Sequence, residues 1–169
     1  MQAVTATVIP GESVLQPSLA DASFCDAYSA PLSDGTLSPT EIFLRTSRAT
    51  PGWVATLMSI RNRVVRQLGL KDVGSMDGET RKAVTEYRIG DRLGIFTIMG
   101  QTQNELLLGI DDSHLDVRVS VLKPSGKSSL GYVVSTVVHV HNWLGRIYMV
   151  PVGRIHPFVV RAMMRRTEV

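Results

Sequence analysis

The stretch Tyr132–Met164, YVVSTVVHVHNWLGRIYMVPVGRIHPFVVRAMM, limits the fold more than any other part of the chain. It reads as a strand over Tyr132–His141, one corner at His141-Asn142, and a long helix from Trp143. At about 3.3 Å per residue the strand covers roughly 36 Å. At about 1.5 Å per residue the helix covers roughly the same distance. Two elements of one length joined by a tight corner run in opposite directions, so the helix is expected to lie back along the sheet that the strand ends. Asn142 is its expected N-cap, a side-chain acceptor for N–H groups that have no helical partner. Pro151 and Pro157 should kink this helix or split it near Pro151–Arg154, because each lacks an N–H and crowds the preceding turn.

The strands that precede the corner read as an antiparallel run. Leu93–Gly100, Glu105–Ile110 and Leu115–Lys123 are joined by connections of hairpin length, and Pro124–Gly131 is a longer turn. A first strand falls at Asp21–Ala30, with Phe24 and Tyr28 as its larger side chains. Two helices stand between it and the others. Ser38-Pro39-Thr40-Glu41 has the form of a capping box with proline at the first helical position, and that helix should end near Arg48. The second helix, Trp53–Leu68, is expected to pack through Trp53, Leu57, Ile60, Val64 and Leu68, with Gly69 as its stop. Lys71–Asp91 reads as a long loop, either a lid or the host of a strand near Val84–Ile89. Residues 1–20 read as a lead-in with a short strand at Val4–Ile9, which leaves one domain at 21–169.

Strand alternation then fixes faces. Leu115, Val117, Val119 and Val121 form one apolar row, and Asp116, Arg118 and Ser120 point the other way, with His114 at the start. Matching apolar rows across an antiparallel pair sets Val117 opposite Val138 and Leu115 opposite Val140. The same register puts Asp116 opposite His139 and His114 opposite His141, with Arg118 diagonal to His139. Extended backwards, it sets Leu108 beside Val117 and Thr97 beside Leu108. The long helix should cover the resulting apolar face, which includes Ile95, Met99, Leu106, Leu108 and Ile110.

Chemistry is sparse. No nucleophile elbow, phosphate loop or dinucleotide glycine motif is present. Ser125-Gly-Lys-Ser128 ends like a phosphate loop but lacks the first glycine and the strand-to-helix setting. His114, Asp116, His139 and His141 are ligand-type side chains on neighbouring strands, and such a set suits zinc, iron or manganese. The plainer reading is a cross-strand pair of Asp116 and His139 with Arg118 alongside, and it is preferred because alternation brings any i, i+2 residues to one face. No metal or cofactor is therefore expected. Cys25 is the lone cysteine, which fits a reducing cytoplasm and leaves no disulfide to form. Few aromatics argue against a base-stacking nucleic-acid surface. No apolar run reaches the ~20 residues of a membrane span. The formal charge of +3 is concentrated in Arg146, Arg154, Arg161, Arg165 and Arg166.

Three segments together resemble a known group: Gly109-Ile-Asp-Asp-Ser-His-Leu-Asp-Val-Arg-Val-Ser120, His141-Asn-Trp-Leu-Gly-Arg-Ile-Tyr148 and His156-Pro-Phe-Val-Val-Arg161. The chain resembles an uncharacterised bacterial domain-of-unknown-function family, sometimes fused to short-chain-dehydrogenase-like domains. That family looks related to the START/Bet v 1-like polyketide-cyclase superfamily. The resemblance implies an α+β helix-grip fold: a curved antiparallel sheet, a two-helix insertion after the first strand, and a long kinked C-terminal helix over an apolar cavity. Two departures stand out. Five strands are read where a full helix-grip has six or seven, and Val159 stands where the family pattern carries a basic residue. The expected function is non-catalytic binding of a small hydrophobic molecule, with Arg146, Tyr148, His156, Met99 and Trp53 as ligand contacts. The alternatives are a cyclase- or hydratase-like enzyme using His114, Asp116 or His139, and an interaction module that meets a protein or membrane through the basic helix. A homodimer is compatible with all three.

Overall fold

The structure, a computed structural model, describes residues 3–67, 82–126 and 130–169. Its strands are β1 (Thr5–Ala6), β2 (Phe24–Pro31), β3 (Arg92–Leu93), β4 (Phe96–Gln101), β5 (Glu105–Asp111), β6 (Leu115–Leu122) and β7 (Gly131–Val140). Its helices are α1 (Pro39–Arg48), α2 (Gly52–Gln67) and α3 (Trp143–Arg166). All seven strands belong to one curved antiparallel sheet in the order β1-β2-β7-β6-β5-β4-β3. The later strands follow one another as a meander, and β2 joins the free side of β7. The two helices between β2 and β3 form the insertion, and the architecture is α+β of the helix-grip kind. The short strand expected at Val4–Ile9 is present as Thr5–Ala6, and the single strand expected over Leu93–Gly100 is two, Arg92–Leu93 and Phe96–Gln101. Two-residue strands carry no alternation to detect.

Local chemistry explains the element ends. Ser38 Oγ accepts from Glu41 N at 3.3 Å while Glu41 Oε2 accepts from Ser38 N at 2.7 Å, and Pro39 opens α1. Asn142 Oδ1 accepts from Gly145 N at 3.1 Å to cap α3, and its amide donates to Ser113 O at 3.1 Å. α3 then runs unbroken through Pro151 and Pro157, so the expected split near Pro151–Arg154 does not occur. Each proline removes one helical hydrogen bond, and the bonds on either side carry the helix across. Val84–Glu86 is a turn of 3-10 helix rather than a strand. Residues 68–81, with the expected stop at Gly69 and most of the expected lid, lie outside the described residues, as do Lys127–Ser129.

The register of the central pair follows the apolar match: Leu115 faces Val140, Asp116 faces His139 and Val117 faces Val138. Further out it departs. Leu108 faces Val119, two residues from its expected partner, which leaves the faces unchanged. Thr97 faces Gly109 and Ile98 faces Leu108, a shift of one, followed by an irregularity between Ile98 and Gly100. A shift of one residue turns a strand over. Phe96 and Ile98 therefore enter the core, and Met99 stands exposed on the outer face with its sulfur over Gly109.

The main core lies between the inner face of the sheet, α1 and the last turns of α3. Ile42, Phe43 and Leu44 meet Leu106, Leu108, Val119, Val121, Tyr132 and Met164 there. The outer face is covered too. Residues 9–19, read as a lead-in, place Ile9 and Leu15 over Ala27, Val133 and Val137. Glu105, buried on this face, accepts from Ser13 Oγ at 2.7 Å, Val14 N at 3.1 Å and Ser120 Oγ at 2.5 Å. In α2, Val54 is the fully buried residue near the start, whereas Trp53 and Ile60 are exposed; the helix is turned by one position from its expected face.

Candidate functional site

α3 is held tightly at its two ends and loosely between them. Gly145, near its start, is buried where a Cβ would collide with the His114 carbonyl and Val140. Met163 and Met164, near its end, are buried in the core. These anchors are roughly 27 Å apart at the helical rise. Between them the residues on the sheet-facing side, Met149, Val152, His156, Val159 and Val160, are all only half-buried. Beneath them Phe24, Ile110, Val117 and Val134 on the sheet are half-buried as well. The inner face along this span is thus apolar and only partly buried.

A polar cluster stands within it. Asp26, Tyr28 and Phe24 share the inner face of β2 because they alternate along the strand. His156 Nδ1 lies 2.9 Å from Asp26 Oδ2. An ionised carboxylate only accepts, so this contact requires the proton on Nδ1 and leaves Nε2 as the basic nitrogen. The Phe24 ring meets the imidazole edge-on at 5.7 Å between centroids. Gly153, one turn before His156, lies close to the same phenyl ring. Arg161 lies with its guanidinium 5.1 Å from the centre of the Tyr28 ring, and its buried Nε has no hydrogen-bond partner. Burial, and after it the negative charge of Asp26, pushes the Tyr28 hydroxyl above the ordinary phenol range. His156 and Arg161 thus bring a basic nitrogen, a cation and N–H donors to a half-dry apolar wall.

The other sequence-predicted residues scatter. Asp116 faces His139 in register, yet its Oδ1 lies 3.2 Å from His141 Nε2 instead. His139 Nε2 instead reaches Asp21 Oδ1 at 3.1 Å and the Ser18 carbonyl at 3.0 Å, partners supplied by the segment that covers the outer face. Arg118 pairs with Asp111 at 2.6 Å and not with His139. His114 is buried and turned toward α3, with its ring edge-on to Tyr148 at 6.1 Å. Its Nδ1 is 3.3 Å from Asp112 Oδ1 in an alignment that is not a hydrogen bond. The four residues of the metal alternative therefore do not converge, and among the described residues no group of three such ligands does. Tyr148 accepts from Arg61 Nε at 3.0 Å and ties α3 to α2. Arg146 is exposed on α3, Trp53 is exposed on α2 and Met99 is on the outer face, so of the five expected ligand contacts only His156 joins the cluster.

Residues 18–163 match the family described as Protein of unknown function (DUF2867). The chain belongs to that family. No curated protein and no solved structure is significantly similar to it. The match takes in the whole cluster, from Phe24 to Arg161, and stops short of the last turn of α3. In this DUF2867 chain a cleft of about 520 Å³ is lined by residues that include Asp34, Arg45, Arg165 and Arg166; none of Phe24, Asp26, Tyr28, His156 and Arg161 borders it. Beside His156, the sequence holds a second signal for the cluster in Asp26. Asp26 interrupts the row Phe24, Tyr28, Ala30, which is otherwise the apolar side of β2, and His156 sits on the apolar side of α3.

Proposed function

We propose that this protein binds a small molecule with an apolar body between the sheet and α3, without transforming it, and holds the molecule's polar end at His156, Arg161 and Tyr28. The observation that carries the reading is the span of α3 between Gly145 and Met163, where apolar side chains of helix and sheet face one another half-buried. Burying such surface contributes about 25 cal/mol per Å², and a ligand that fills the span gains it. A carboxylate or carbonyl end suits the donors of Arg161 and Tyr28, and a hydroxyl on the same molecule suits the free ring nitrogen of His156. The order of strand, two helices, antiparallel meander and long helix supports placing the fold with the START/Bet v 1-like group. A reducing bacterial cytoplasm is the compartment that goes with the lone Cys25.

The test uses the anionic apolar dye 1-anilinonaphthalene-8-sulfonate on the intact chain. Its fluorescence should rise on binding, and Val152→Trp, which fills the span, should abolish the rise. Arg161→Gln should weaken binding by roughly tenfold, the loss of one charge-assisted contact. Unchanged dye binding in both variants, each with a cooperative unfolding transition, refutes the site. One observation favours a second reading: His156 held by Asp26 is an acid–base pair. An enzyme of the cyclase or hydratase kind would use this pair, and not His114, Asp116 or His139.

A further inference from the structure

The side of α3 that faces away from the sheet is as apolar as the side that faces it. Trp143, Ile147, Val150 and Phe158 are 70%, 59%, 56% and 67% exposed, and their spacing puts them along one line of the helix. Ile155 flanks the line, Arg154 stands within it, and Arg146 lies beside it, all exposed. From Trp143 to Arg166 the helix has five arginines and no acidic residue. A solvated helix face is polar, and a core face is covered; this one is neither. We propose that it docks on the surface of an anionic bilayer, with the aromatic and aliphatic side chains at the level of the upper acyl carbons and the arginines at the headgroups.

Charge decides the occupant. In a twofold pair of chains joined through this line, each contact is repeated by symmetry. Arg154, near the middle, would then meet arginine across the axis with no acid on either helix to separate them. Anionic headgroups give Arg146 and Arg154 partners, and the arginine stem lets each guanidinium rise from beside the apolar line to reach one. The shape agrees. The line runs along the crest of a helix for roughly 22 Å and offers no groove to a polypeptide, whereas a flat interface accepts a crest. No helix among the described residues is long and apolar enough to cross a membrane, so α3 lies along the surface. The inference does not depend on the ligand site, which is on the opposite side of the same helix.

The test uses the full chain with Trp53→Phe, which leaves Trp143 as the lone tryptophan. Vesicles are phosphatidylcholine alone or phosphatidylcholine with about one-third phosphatidylserine. Trp143 emission should shift to the blue and the protein should sediment with the anionic vesicles, less so as salt is raised. In the wild-type background, Trp143→Ser with Phe158→Ser should lower partitioning at least tenfold or so. Arg146→Gln with Arg154→Gln should lower it on anionic vesicles and leave the neutral ones unchanged. All four side chains are exposed, so the fold, checked by circular dichroism, is retained. Absence of binding to anionic vesicles overturns the proposal, as does equal binding by the Trp143/Phe158 variant. A wild-type dimer that the same two substitutions dissociate overturns it too, in favour of self-association.

Discussion

Glu105 offers the sharpest test of how the outer face is closed. Its carboxylate is buried and takes hydrogen bonds from Ser13 Oγ, Val14 N and Ser120 Oγ, at 2.5 to 3.1 Å. Two of these donors belong to the segment that covers the sheet and the third to β6, so one side chain fastens segment to sheet. A hydrogen bond to a charged group contributes about 1.5–3 kcal/mol. Ser13→Ala should therefore cost about 2 kcal/mol, to which its lesser bond from Leu15 N at 3.2 Å adds. Glu105→Ala strands three donors at once and should cost about 3–5 kcal/mol. That is a large part of the 5–15 kcal/mol typical of a whole domain. The informative quantity is the coupling. In a Glu105→Ala background Ser13→Ala loses only the Leu15 bond, so a double-mutant cycle by urea unfolding should give about 1.5–2 kcal/mol of interaction. Hydrogen exchange should show residues 9–19 opening before the strands in either single variant. A coupling near zero would mean that the segment adheres through Ile9 and Leu15 alone, and the account of Glu105 as its fastening would be wrong.

Two further outcomes follow from the helix ends. Asn142→Ala removes the cap of α3 and the bond to the Ser113 carbonyl, and should cost about 1–2 kcal/mol, read from the urea midpoint; a loss within error of zero contradicts the capping geometry. The Ser38 N–H, and after it the Ser38 hydroxyl, hold the Glu41 carboxyl below the usual carboxylate range. A group whose value is lower folded than unfolded adds stability above its unfolded value, about 4.3 for glutamate, and loses it as pH falls through the folded value. The wild type should thus weaken across that acid window more than Glu41→Gln does, and parallel pH profiles for the two would contradict the assignment.

How far the sequence could be read depended on where side chains compete. The register of β6 on β7 followed from four apolar residues that had only one way to share a face. For β4 the row Ile95, Thr97, Met99 and the row Phe96, Ile98 are nearly equal in apolar content, and alternation alone could not choose between them. Packing chose Phe96, whose ring meets Phe43 of α1 edge-on at 6.0 Å, a contact between residues far apart in the chain. The candidate site was legible in one residue, His156. Asp26 and Arg161 were hidden because their significance lies in β2 and α3 meeting, which neither segment announces. His139 was assigned to Asp116 for a related reason: the covering segment with Asp21 was not expected to reach it.

The strand order also sets a timetable for folding. β3 to β7 can pair with near neighbours as soon as each is made, but β2 finds its partner across more than a hundred residues, Phe24 opposite Val138. Contacts of such separation form late, since the intervening chain must first give up its freedom. Until β2 arrives, β7 presents an open edge with Val133, Val134, Val137 and Val138 in a row that any other extended chain could extend. The hazard this protein faces is thus confined to an interval, from the completion of β7 to the docking of β2. Conditions that lengthen the interval should favour aggregation even where the finished fold is stable.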